Sequence, residues 1–173
     1  MGDPKKKHKK YTSPKLPFDQ GALLEELRLL GAYGLRNKKE LWRLRTQLSR
    51  FRRSAREIES MSSMEKGDKE KALLSRLRNL GLLGENATLD DVLSLRIEDL
   101  LERRLQTIVY RRKMAKSFFQ ARQLITHGHI SISGRKAVSP SCWVTMEDEK
   151  NISYNSSSPL SSEDHPLRKE LSV

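Results

Sequence analysis

Nine cationic side chains fall within residues 103–136 without one acid among them: Arg103, Arg104, Arg111, Arg112, Lys113, Lys116, Arg122, Arg135 and Lys136. An ordinary solvated surface interleaves both signs, so a one-signed stretch points to a polyanion as partner. A second set, Arg43, Arg45, Arg50, Arg52, Arg53 and Arg56, meets no acid until Glu57. A third, Lys5, Lys6, Lys7, Lys9 and Lys10, is broken only by His8. Guanidinium and ammonium groups at this density suit phosphate contacts, and Gln123, His127 and His129 join them as candidate contacts. Other chemistry finds little support. The carboxylate pairs Asp90-Asp91 and Glu98-Asp99 open helical turns, where they complement the helix dipole rather than act as an acid and base. His127, His129 and Cys142 are three zinc-type ligands without a fourth. There is no glycine loop of the Walker type and no Ser/His/Asp arrangement. No catalytic residue, metal, cofactor or small-molecule substrate is therefore expected.

The elements that must hold these cations can be read from periodicity. Leu101, Leu105, Ile108 and Val109 recur as one helical face, with Arg103, Arg104, Thr107 and Arg111 expected opposite, toward nucleic acid. After a break at Lys113–Lys116, Ser117 with Gln120 makes a capping box for a helix whose apolar side is Phe118, Ala121, Leu124 and Ile125. Gly128 ends it, Ile130 and Ile132 mark a strand, and Ser133-Gly134 a tight turn with Arg135 and Lys136 at its tip. Upstream, Asp19 caps a helix lined by Leu23, Leu24, Leu27 and Leu30. Asn37 and Glu40 open the longest helix, 38–59, with a seam of Leu41, Leu44, Leu48, Phe51, Ala55 and Ile58. Residues 60–67 are expected as a connector, Asp68 as the cap of a further helix, and Thr88 with Asp91 as the start of a short one. Cys142 to Met146 reads as a strand, Glu147 to Glu149 as an acidic turn, and Asn151 to Tyr154 as a closing strand. The fold class is α+β: a mainly helical N-terminal part and a small helix-helix-strand unit with a short sheet.

Composition agrees with that reading. The chain has 173 residues and a formal net charge of +12, with 36% apolar and 32% charged residues. Such a balance favours nucleic acid over acidic metabolites as partner. No apolar run reaches the ~20 residues of a membrane span, no signal-peptide core is visible, and a lone cysteine fits a reducing compartment, so a cytoplasmic location is expected. The division follows composition: a basic arm over 1–18, a helical domain over 19–99, a nucleic-acid-binding domain over 100–154, and a Ser/Pro-rich, disordered tail over 155–173. The arm is expected to be mobile until phosphates order it.

Leu-Glu-Arg-Arg-Leu-Gln-Thr-Ile-Val-Tyr (101–110), Ala-Arg-Gln-Leu-Ile-Thr-His-Gly-His-Ile (121–130) and Gly-Arg-Lys (134–136) resemble the small RNA-binding domain of the S-four type. Tyr-Gly-Leu-Arg-Asn-Lys-Lys-Glu-Leu-Trp (33–42) and Phe-Arg-Arg (51–53) look like the archaeal and eukaryotic branch of the ribosomal family that gave the domain its name. The likeness covers about residues 1–154. Lys113-Met114, Phe118 and Ser133 depart from the usual pattern, and the four-cysteine zinc site of some members has no counterpart here. The resemblance implies a structural, non-enzymatic component of the small ribosomal subunit. Such a component binds small-subunit ribosomal RNA at a junction, nucleates assembly of the body, lies beside ribosomal protein S-five and supports decoding accuracy. The alternatives are a ribosome assembly factor, a protein related to RNA-modifying enzymes, or a DNA-binding regulator. The second lacks room for a catalytic domain, and the third lacks a dimer seam.

Overall fold

The computed structural model describes residues 8–162 and 165–169. Its helical part begins with α1 (Gln20–Ala32) and α2 (Lys38–Glu59), and the Asn37 side chain caps α2 by accepting from the Glu40 amide at 3.2 Å. The whole expected seam of α2, from Leu41 to Ile58, is buried. α1 is rotated from expectation: Leu24 and Leu27 are exposed, whereas Leu29 and Glu26 are buried. The Glu26 carboxylate sets that rotation. It accepts from Trp42 Nε1 at 2.9 Å and Arg45 Nη1 at 2.8 Å, and it lies 3.3 Å from Lys38 Nζ. Turning α1 to bury both leucines would strip a carboxylate of three donors, which costs more than wetting apolar surface.

α3 (Ser63–Asn79) starts before the expected cap at Asp68 and carries Gly67 inside it. One interior glycine costs only about 1 kcal/mol relative to alanine, less than the buried Leu74 and Leu77 return by docking. The short α4 (Leu89–Ser94) and α5 (Ile97–Glu102) hold the two carboxylate pairs in their first turns, as expected. Asp91 and Asp99 accept from the Thr88 and Arg96 amides, both at 2.7 Å.

The expected continuous helix through 101–111 is broken. α6 (Leu105–Arg111) begins after a corner at Arg103-Arg104, so the helical phase drawn across that corner does not hold. α7 (Phe118–Thr126) follows, capped by Ser117 and ended by Gly128 at φ +76°. β1 (Ile130–Ile132), β2 (Arg135–Lys136) and β3 (Ile152–Tyr154) form an antiparallel sheet in the order β2-β1-β3. The β1–β2 turn has Ser133 at φ +48° and Gly134 at +77°, the backbone of a primed hairpin turn. Ile132 faces Arg135, and Ile130 faces Tyr154.

Residues 142–146 are not a sheet strand. Trp143 makes an isolated antiparallel bridge to Arg104, and Thr145 then caps α8 (Met146–Lys150), a helix where an acidic turn was expected. Thr145 Oγ1 accepts from the Asp148 amide at 3.1 Å, and this local cap outweighs the weak alternation before it. The segment expected as a disordered tail is folded where it is described. A 3₁₀ turn (Pro159–Ser161) and α9 (Pro166–Lys169) follow β3, Leu160 is buried, and Arg168 lies over the Tyr154 ring at 5.2 Å. Its serines serve as caps: Ser158 Oγ accepts from the Leu160 amide at 3.2 Å.

Two cores result. One gathers the leucines of α1–α5 and includes Leu100 and Leu101; the other runs from Leu105 through Val109, Ile125, Ile130 and Ile152 to Leu160. Among the described residues, no helix is long and apolar enough to cross a membrane.

Candidate nucleic-acid interface

The corner between the two cores is where charge is consumed internally. Glu40, in the first turn of α2, accepts from Arg104 Nη2 at 2.6 Å and from Arg122 Nη2 at 2.7 and 2.8 Å. The Arg104 side chain is 3% exposed and Glu40 14%. Burial holds the Arg104 guanidinium below its ordinary pKa, and the Glu40 charge and hydrogen bond oppose that shift. Arg103 Nη1 donates to Glu149 at 2.7 Å and its Nη2 to the Val144 carbonyl at 3.0 Å. Thr107 is buried and donates to the Leu101 carbonyl. The expected nucleic-acid face of Arg103, Arg104, Thr107 and Arg111 therefore does not exist as drawn. Arg111 alone of the four is well exposed, and it pairs with Glu102 through Nε at 3.2 Å and Nη2 at 2.7 Å.

The same carboxylate explains the Tyr33 phenol, whose hydroxyl donates to Glu102 Oε1 at 3.1 Å. Desolvation, and then the Glu102 charge and hydrogen bond, push its pKa from 10.0 up to about 12. Two α2 arginines also turn inward: Arg45 to Glu26 and Arg52 Nη2 to the Leu95 carbonyl at 2.6 Å.

The remaining candidates face outward. Arg43, Arg50, Arg53 and Arg56 on α2, and Arg112, Arg135 and Lys136 in the small domain, are exposed. No ion pair holds them among the described residues. Lys9, Lys10, Lys116, Gln123 and His127 are exposed too, whereas His129 is half-buried with Nδ1 2.8 Å from Ser158 Oγ. Lys5, Lys6 and Lys7 lie outside the described residues. The rest of the arm, expected to be loose, is tethered: Tyr11 stacks against Trp42 at 5.7 Å, and the Thr12 amide donates to Thr46 Oγ1 at 3.0 Å.

That tether brings Lys10 to an open groove of about 550 Å³ along α2, where Arg43, Arg50 and Arg76 meet Ser141 and Trp143. Among the described residues Glu40 is the groove's one carboxylate, already satisfied by two guanidiniums. Arg76 was not among the sequence candidates. It sits in the last turn of α3, where a cation reads as a dipole partner, and only the docking of α3 on α2 reveals its place. Across the hairpin, the Lys136 side chain passes over Gly128. A Cβ there would lie 1.8 Å from Lys136 Cε, so the bare backbone at Gly128 makes room for it.

Among the described residues, no group of three or more His, Cys, Asp or Glu is arranged to hold a metal, and Cys142 is exposed. Desolvation, and then Asp148, push its thiol pKa up, away from thiolate reactivity.

Residues 103–149 match the family model described as the S4 domain. The chain is 52% identical to the "Small ribosomal subunit protein uS4" of Ignicoccus hospitalis, over 92% of this chain and 96% of that protein. It is also 52% identical to the protein of that name from Hyperthermus butylicus, over 92% and 90%. To the one from Thermoplasma acidophilum it is 48% identical, over 99% and 87%.

Proposed function

Because the chain belongs to the family of small ribosomal subunit protein uS4, we propose that it is a structural constituent of that particle in the cytoplasm, binding small-subunit ribosomal RNA directly through the α2 groove. The observation that carries the reading is the groove's charge: Lys10, Arg43, Arg50 and Arg76 surround a single carboxylate that is neutralised from beneath. Paired RNA hides its bases in a deep, narrow major groove, so a protein that clamps a helical junction reads phosphates and 2′-hydroxyls with cations on rigid elements. The groove supplies such cations from two packed helices and a tethered arm. Likeness over nearly the whole chain favours a permanent constituent over an enzyme that merely carries the same small domain.

Early binding at a junction of the body, contact with ribosomal protein S-five and support of decoding accuracy complete the proposal. A protein whose two cores are joined by a buried ion triad presents one stiff surface to RNA, as an assembly nucleus requires.

The salt dependence of binding to a junction RNA tests this. Each neutralised phosphate contributes about 0.7–0.9 to the log–log slope. Arg43→Ala and Arg50→Ala should each reduce the slope by about that amount. Arg103→Ala and Arg104→Ala, which remove internally paired groups, should leave the slope alone and lower the stability of the protein. Unchanged slopes for both groove variants would overturn the proposal.

A further inference from the structure

We propose that the cleft between α7 and Pro159, Leu160, His165 and Leu167 is a pocket for one unpaired nucleobase. Its volume is about 240 Å³, below the ~300–1,000 Å³ of pockets that hold drug-sized ligands and suited to a single planar ring system. Leu124 and Leu160, both buried, supply an apolar floor. The polar lining among the described residues is Gln120, Gln123, His127, His129 and His165, amides and imidazoles. A base edge would find what it needs, since each amide offers both a donor and an acceptor and each imidazole a ring face and a nitrogen. Single-stranded RNA is recognised by that combination, an unstacked base held on an aromatic or histidine face and bonded along its edge.

The two imidazoles are within 10° of parallel, with centroids 6.3 Å apart. His129 is fixed by Ser158 Oγ, so the segment after β3 both walls the pocket and orients one of its rings. Between the histidines in sequence stands Gly128, and the side chain crossing it is that of Lys136. An apolar floor with amides and imidazoles around it describes a recess for one inserted base. The α2 groove differs in character: it is larger, about 550 Å³, and its lining is dominated by cations, Lys10, Arg43, Arg50, Arg76 and Arg104.

This occupant rests on the RNA-binding reading above, and the test separates the two. Tetra-adenylate and an abasic ribose-phosphate tetramer of equal charge are titrated into the full chain while the methyl resonances of Leu124, Leu160 and Leu167 are followed by NMR. Tetra-adenylate should shift these methyls through the ring current of its base, and the abasic tetramer should not. His127→Ala and Gln123→Ala alter exposed side chains, and each should weaken tetra-adenylate binding about fivefold or more, while the methyl spectrum of the free protein shows the fold intact. Equal shifts from both tetramers would make this a phosphate site and overturn the proposal. So would the absence of any methyl shift at millimolar tetra-adenylate, or binding unaffected by both substitutions. Failure of the groove reading instead shows as unchanged salt slopes for Arg43→Ala and Arg50→Ala with the methyl shifts still present.

Discussion

Glu40→Ala removes one carboxylate and leaves two guanidiniums facing each other. Arg122 is 19% exposed and can swing toward water, but Arg104 is 3% exposed and cannot without opening the corner between the cores. The substitution therefore strands a buried charge, and breaking such a pair from one side costs about 3–5 kcal/mol. A domain of this size holds only about 5–15 kcal/mol in total, so the loss is a large share of its stability. With a urea slope of roughly 2 kcal/mol/M, the unfolding midpoint should fall by about 1.5–2.5 M. Adding Arg104→Met removes the stranded charge and fills its volume, so the double variant should recover at least half of that loss. Urea unfolding followed by circular dichroism measures both. A fall of less than about 1 kcal/mol in Glu40→Ala, or a double variant no more stable than the single, would refute the view that Glu40 is the buried counter-charge of the joint.

Gly34 is buried at φ +56°, and a Cβ there would sit 2.5 Å from Phe118 Cβ, so Gly34→Ala combines backbone strain with a clash against α7. It should cost about 2–4 kcal/mol in a thermal melt. The Tyr33 phenol, pushed up to about 12 from 10.0, contributes stability that is fully present below pH 10 and lost as pH rises from 10 toward 12. Ultraviolet titration should show this late tyrosinate, and Glu102→Gln should bring it part of the way back, since desolvation is the larger cause. A Tyr33 titrating at 10 in the folded protein would contradict the contact.

The features visible in sequence were those encoded within a few residues. Asn37 caps α2, Ser117 caps α7, Gly128 ends it, and the seam of α2 is spaced so that all six of its side chains bury. Each of these depends on neighbours three or four positions away, which periodicity registers. Charge was misread where the partner was remote. Arg104 looked like an RNA contact because the carboxylate that claims it lies on α2, 64 residues earlier, and Arg122 likewise across 82. Arg103 turned to Glu149 for the same reason, 46 residues on. Of the basic residues singled out in the sequence, Arg43, Arg50, Arg53 and Arg56 on α2 and the hairpin pair stay exposed, those of the Arg103–Arg104 corner do not, and Arg76 joins the exposed set. The segment after β3 failed differently. Its serines read as disorder by composition, yet Ser158 caps a turn and fixes His129 while Leu160 enters the core. Low hydrophobicity predicts too little driving force on average, and one well-placed leucine is invisible to an average.

The shared carboxylate also has a meaning in time. A growing chain lengthens by about 5–20 residues per second, so Glu40 exists for roughly 3–13 s before Arg104 is made and about 4–16 s before Arg122. The helical core cannot close earlier than Leu100 and Leu101, which belong to it and immediately precede the Arg103-Arg104 corner. Glu40 thus gains its first counter-charge almost as soon as that core can shut, and its second only when α7 has been synthesised. The leucines of the N-terminal core are then all made, with Trp143 still to pack on them and the Glu40 carboxylate still without its second donor. That open acceptor is met by Arg122 only when the small domain docks, so the order of synthesis matches the order in which the shared carboxylate collects its donors.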